Sequence, residues 1–193
     1  MSVFDQHMQT WKKRRKRMGD GAVGRVGENY TRQRKHVEPH LLKAFGNDFF
    51  KHGLDFGCGW GRFTRLLSSR CGHAWAVDIF DDWVDRAAST DTNVTPTQLR
   101  APQFPYEDGA FDLVADIMTL QSLDDELLQT YSAELKRVAA PGALVVSVHV
   151  TRDGIRDVEN RATLLELGTW DVVKTTSIDD SREEYCFLAG RRL

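Results

Sequence analysis

Three glycines alternate with other residues at Gly57, Gly59 and Gly61, directly after the carboxylate of Asp55. The run Leu54-Asp55-Phe56-Gly57-Cys58-Gly59-Trp60-Gly61 begins as a short apolar strand and leads into a helix starting near Arg62. Glycines at such a bend allow positive φ and let a ligand approach the backbone closely. The helix behind them offers free N–H groups to ligand oxygens. A second carboxylate, Asp78, closes the apolar run Ala76-Val77, 23 residues after Asp55. At a strand end, a carboxylate can accept hydrogen bonds from both hydroxyls of a ribose. The spacing differs from the dinucleotide fingerprint, which needs a glycine where Arg62 stands. No Gly-Lys-Ser/Thr follows, so the loop is not of the nucleoside-triphosphate type.

His149, near the end of the run Ala143 to Val150, is a candidate general base at neutral pH or a satisfied histidine at a sheet rim. His7, His36, His40, His52 and His73 form no ligand-like cluster, and no metal is expected. Cys58, Cys71 and Cys186 lack metal-ligand spacing and read as free thiols of a reducing compartment.

The elements that position these groups alternate. Strands are predicted at Gly53–Phe56, Ala74–Val77, Asn93–Leu99, Phe111–Ile117, Ala143–Val150, Trp170–Ser177 and Glu184–Ala189. Helices are predicted at Tyr30–Phe45, Arg62–Ser69, Asp81–Ala88, Asp124–Val138 and Val158–Leu167, the last ended by Gly168. Alternation implies a mainly parallel sheet with helices on both faces. Ile178 to Arg182 is long enough only for a hairpin, so the last strand should be antiparallel.

The 193 residues suit one domain, and 41% hydrophobic with 28% charged content is ordinary for a soluble protein. No apolar run approaches the length of a membrane span, and a cytoplasmic location is expected. The net charge of −2 hides an asymmetry. Residues 1–36 carry ten Lys/Arg against three Asp/Glu, leaving sixteen against twenty-five elsewhere. Met1 to Arg17 has helical potential, but Lys12-Lys13-Arg14-Arg15-Lys16-Arg17 repels itself and no apolar stripe is evident. Gly19 to Gly27 reads as a linker or a ligand-shaped loop. The division is therefore a basic arm and Gly-rich linker over 1–29 and an α/β domain over 30–193. The arm reads as a solvated tail, a grip on nucleic acid through Lys12–Arg17, or a lid over the site, with Trp11 stacking on a base or docking on the body. Trp60, inside the glycine loop, is expected to shape the pocket, whereas Trp75, Trp83 and Trp170 read as packing.

The motifs together resemble those of class I S-adenosylmethionine (SAM)-dependent methyltransferases. Leu54 to Arg62 is similar to that family's first motif, and Asp78 to its acidic second motif. Phe104-Pro105-Tyr106 through Phe111-Asp112 resembles the run before the fourth strand, and Leu135 to Val138 with Pro141-Gly142 the entry to the fifth. The resemblance spans about Tyr30 to Leu193 and implies a three-layer Rossmann-like fold: a seven-stranded, mainly parallel sheet with an antiparallel last strand.

The resemblance also implies roles. SAM would be the cofactor. Asp55, Gly57, Cys58, Gly59 and Gly61 would form its loop, with the 57–59 backbone along the methionine part, Asp78 on the ribose and Ile79 on the adenine. Tyr30 would close over the methionine tail. Arg100 stands where many relatives place an acidic residue toward the adenine amino group, which leaves that contact to the Ala101 backbone N–H. Asp116 would hold either the methionine amino group or the acceptor, and with His149 is the candidate catalytic residue. Asp116-Ile117-Met118-Thr119 is not the Asp/Asn-Pro-Pro-Tyr/Phe run of enzymes that methylate DNA-base amines. The acceptor pocket would lie between the N-terminal segment, the Asp116–Leu123 loop and the loop after His149. The implied activity is methyl transfer to an unidentified small molecule, or to nucleic acid held by the arm. The alternative is a non-catalytic SAM-binding protein with a nucleic-acid-binding arm. Neither acceptor nor oligomeric state follows from the sequence.

Overall fold

The structure is a computed structural model that describes residues 1–18, 22–89, 91–151, 158–176 and 184–193. Its centre is a sheet of β1 (Phe50–Phe56), β2 (Cys71–Asp78), β3 (Val94–Gln98), β4 (Phe111–Ile117), β5 (Ala139–Thr151), β6 (Leu167–Thr176) and β7 (Glu184–Arg192). The strand order is β3-β2-β1-β4-β5-β7-β6. β1 pairs in parallel with both β2 and β4, so strand order reverses at β1. In open α/β sheets the ligand crevice lies at such a switch point. β7 is antiparallel to both β5 and β6, as its short connection requires. A seven-stranded, mainly parallel sheet with an antiparallel last strand is the Rossmann-like architecture that the motifs imply. Pro96 is tolerated because β3 is an edge strand paired only with β2.

Six helices, α1 (Val3–Met18), α2 (Ala22–Phe45), α3 (Thr64–Ser68), α4 (Asp81–Ala88), α5 (Asp125–Val138) and α6 (Val158–Leu164), cover the sheet among the described residues. The period of two along each strand divides the apolar residues between two faces. Leu54, Val77, Val114, Val145 and Leu188 meet Leu127, Leu128, Tyr131 and Leu135 of α5, with Ala162 of α6. On the opposite face Leu113, Ala115, Val146 and Phe187 meet Val37, Leu41 and Phe45 of α2 and Leu67 of α3. Asp124 caps α5 by accepting the Leu127 N–H at 3.0 Å.

The elements differ from the sequence reading toward both ends of the chain. Residues 22–27, read as linker, form the first turns of α2, while 19–21 lie outside the described residues. α2 also runs through position 29/30 without a break. The N-terminal segment is a helix docked on the body: Phe4 is buried, and Val3 and Met8 pack against the α5 face. Phe4, Met8, Trp11 and Arg15 recur at helical spacing, a narrow stripe that the basic run obscures. At the other end, Gly168 lies inside β6, and α6 stops at Leu164, followed by Glu166 with φ 50°. Ile178–Arg182, the expected hairpin, lies outside the described residues.

Candidate functional site

The glycine loop ends β1 at the switch point. Gly57, Gly59 and Gly61 all have left-handed φ, at 69°, 53° and 83°. Each position has its own reason to lack a side chain. A Cβ on Gly57 would lie 2.0 Å from the Thr119 hydroxyl, and one on Gly61 would lie 2.7 Å from Cα of Ala87 in α4. A Cβ on Gly59 would meet nothing within 4 Å, because that side of the loop is open to a cavity. The N–H groups of Gly57 and Cys58 both donate to the Val77 carbonyl, at 2.7 and 3.0 Å, so the loop presents its Cα edges rather than these donors.

Asp78, at the end of β2, is only 7% exposed and stands in the cavity wall. Its carboxylate accepts the N–H of Gly59 at 3.0 Å and of Phe80 at 3.2 Å. Burial pushes its pKa up to about 6, against the lowering effect of those N–H groups. Asp55 lies beneath the loop, accepts the Thr64 hydroxyl at 2.6 Å and is pushed by burial up to about 7. Burial also raises the Cys58 thiol well above its usual range, which keeps it protonated and inert as a nucleophile.

The cavity has a volume of about 640 Å³ and lies within the size range of small-molecule sites. Its floor is the glycine loop with Asp78, Ile79 and Leu99, and one side is Ile117, Met118, Thr119, Ser122 and Leu123. His7, Trp11, Arg15 and Lys16 of α1 supply a further wall. Arg15 fixes α1 there: its guanidinium forms a two-pronged pair with Asp82 and lies 5.0 Å from the Phe80 ring and 5.5 Å from that of Trp83. Trp60 sits edge-on to Trp83 at 5.8 Å and carries Arg86 over its face at 5.2 Å. Burial lowers the pKa of His7, so this wall histidine is mainly neutral at pH 7.

The structure gathers Asp55, Gly57, Cys58, Gly59, Asp78 and Ile79 in the cavity wall, with Gly61 bracing the loop against α4. Arg100 and Ala101 are exposed and stand outside that wall, although Leu99 beside them is in it. The Tyr30 side chain and residues 152–157, which include the segment expected to follow His149 in the acceptor pocket, lie outside the described residues.

Asp116 and His149, the candidate catalytic residues, stand away from the cavity, and both are 0% exposed. Asp116 turns inward to accept the N–H groups of Thr119 and Leu120, at 3.1 and 2.9 Å, and the Ser147 hydroxyl at 2.6 Å. Arg161 of α6 approaches it at 3.5 Å. Burial raises the Asp116 pKa, opposed by Arg161. A strand-end position alone does not show which way a side chain points. Arg161 lies 45 residues away in sequence, where no local pattern links it to Asp116. The N-terminal segment, expected beside the acceptor pocket, supplies His7, Trp11, Arg15 and Lys16 to the wall, and the helical stripe in α1 is the signal for the specific residues. Trp83, read as packing, and Arg86, Phe80 and Asp82 near it also line the cavity without a signal in the sequence motifs.

Residues 54–142 match the sequence model of the family described as methyltransferase domain. The match takes in just under half of the chain. The chain is 25% identical over 114 residues to phosphoethanolamine N-methyltransferase 1 of Triticum aestivum, covering 56% of this chain and 23% of that protein. It is 26% identical over 151 residues to malonyl-[acyl-carrier protein] O-methyltransferase of Salmonella typhimurium, covering 73% and 59%. The chain thus spans less than two thirds of either relative's length. The crystal structure of N-methyltransferase NodS from Bradyrhizobium japonicum WM9, in complex with S-adenosyl-L-homocysteine (SAH), superposes with a TM-score of 0.72 at 21% identity. That likeness covers 83% of this chain and 87% of NodS and establishes the shared fold. The matched residues carry the loop, Asp78 and most of the lining of the switch-point cavity. α1, which forms the opposite wall, lies outside the matched residues.

Proposed function

We propose that this chain transfers the methyl group of SAM to a small-molecule acceptor enclosed beneath α1. The observation that carries the reading is the Asp78 carboxylate bonded to Gly59 in the wall of a cavity open at Gly59. A carboxylate with lone pairs toward a cavity suits ribose hydroxyls, and the bare Gly59 edge suits a flat approach by the rest of the compound. Ile79, Phe80 and Leu99 supply apolar surface for the adenine end. Bound SAM supplies a methyl group already activated on a sulfonium.

The protein's part is then to orient the acceptor, exclude water and take a proton where the acceptor carries one. His7 suits that last task, because it is neutral at pH 7 and lines the cavity. The cavity's size and the docking of α1 along one wall favour a small acceptor. Arg15, part of the basic run, is engaged with Asp82, Phe80 and Trp83 rather than presented outward to nucleic acid. The names of the two relatives point to varied acceptors and give no single one.

The test is transfer of tritiated methyl from SAM to separate pools of small metabolites, RNA, DNA and protein. Label entering the small-metabolite pool is the expected result. Label entering RNA or DNA would overturn the small acceptor, and tight SAH binding with no label anywhere would favour a non-catalytic SAM-binding protein.

A further inference from the structure

The mechanism leaves unexplained why a carboxylate, a hydroxyl and a guanidinium are sealed together behind the cavity. Asp116 of β4 and Ser147 of β5 are register partners, and both are buried. Arg161 donates to the Ser147 hydroxyl at 3.1 Å and faces Asp116, so the carboxylate has a cation beside it in a buried layer. Its other oxygen, Oδ1, accepts from Thr119 and Leu120 together.

Those two N–H groups belong to the turn that becomes the cavity side. Met118 there has φ 67°, a conformation that non-glycine residues adopt only when their surroundings impose it. Its N–H donates to the Val148 carbonyl at 2.7 Å. Thr119 then donates its hydroxyl to the Phe56 carbonyl at 3.1 Å, with the Gly57 carbonyl at 3.4 Å. The same side chain occupies the space a Cβ of Gly57 would need. A continuous line of contacts therefore runs from α6 through β5 and β4 to the glycine loop.

We propose that Asp116 is a positioning residue for the cofactor site: held by Ser147 and Arg161, it fixes the left-handed turn at Met118 and seats the Thr119 hydroxyl on the loop carbonyls. The 117–123 segment and the glycine loop then move as one body. This gives Asp116 a role without contact to cofactor or acceptor, and it makes Thr119 the link between the two walls. The inference rests on the SAM reading for its ligand readout, though not for its structural one.

The first measurement is SAH affinity by calorimetry. Thr119→Val keeps the branched shape and loses the hydroxyl; the expected result is about tenfold weaker binding, as for one lost hydrogen bond. Thr119→Ser should restore affinity. If Asp116 acts through Thr119, the double variant Asp116→Ala/Thr119→Val binds no more weakly than the weaker of its parents. Unchanged affinity in Thr119→Val overturns the inference, as does multiplication of the two single effects in the double variant. The second measurement is amide hydrogen exchange without ligand: Thr119 and Leu120 should be protected in the wild type and exposed by Asp116→Ala. Equal protection in both proteins overturns the clamp. If Asp116→Ala does not fold, Asp116→Asn replaces it and the Thr119 variants still decide. A wild-type protein that bound no SAH would sink the cofactor reading, leaving the clamp to the exchange data.

Discussion

The carboxylate of Asp78 and the backbone N–H of Gly59 meet at 3.0 Å, so the last residue of β2 is built into the turn that ends β1. That one contact joins the two sequence motifs into a single site. With the Phe80 N–H on the other oxygen at 3.2 Å, it occupies part of the carboxylate's accepting capacity and leaves the rest for a ligand.

Ligand affinity should depend on pH through Asp78. Burial raises its pKa to about 6, and protonation removes the charge that ribose hydroxyls would meet. Affinity for SAH is therefore highest above that pH and falls by about tenfold per pH unit below it. Quenching of Trp60 and Trp83 fluorescence across pH 5 to 8 reads this out. Asp78→Asn should bind weakly with a nearly flat profile; a wild type equally flat contradicts the assignment.

Stability should carry the mark of Asp55. Its folded pKa is raised from 3.8 to about 7 by burial, so the folded state binds the proton more tightly than the unfolded chain. The stability this supplies is complete below 3.8 and is lost as pH rises through about 7. Asp55→Asn removes the buried charge and keeps an acceptor for Thr64. Urea denaturation should show it stabilised by a few kcal/mol, on the order of the three-unit shift, relative to wild type at pH 8. At pH 4 the difference should largely vanish. An equal effect at both pH values would refute the burial argument.

The three loop glycines should not be equivalent. Alanine at Gly59 meets open space and carries only left-handed strain, about 1 kcal/mol. Alanine at Gly57 or Gly61 adds collision with Thr119 or with the α4 backbone. Thermal denaturation should rank Gly59→Ala well above the other two in melting temperature. A uniform loss at all three positions would mean that packing behind the loop is not what selects glycine.

The docking of α1 should respond to Arg15. Its pair with Asp82 is 40% and 51% exposed, so its contribution to stability is at most about 1 kcal/mol, and salt weakens it. Arg15→Ala should leave the melting temperature nearly unchanged. It should speed tryptic cleavage at Lys12–Arg14, with SAH slowing cleavage of the wild type. Cleavage indifferent to both would mean that α1 is not a wall of the site.

The fold and the core of the site were legible because they depend on short-range patterns. Apolar runs alternating between periods of two and 3.6 gave the layers. The glycine spacing and Asp78 gave the cradle, since both lie within one β-α-β unit. What escaped depends on distant partners. Asp116 looks available at a strand end, yet its orientation is set by Ser147 and Arg161, which no local spacing announces. His149 likewise sits in a strand buried on both faces. Arg15 belongs to a run whose mutual repulsion suggests a free arm, and the partners that turn it inward, Asp82, 67 residues on, with the rings of Phe80 and Trp83, are distant in sequence.

The most direct test is calorimetric titration of SAH into the wild-type chain and into Asp78→Ala at pH 7.5. The account predicts measurable one-to-one binding in the first and a loss of about a hundredfold or more in the second. No heat with the wild type, or equal binding by both, would contradict it.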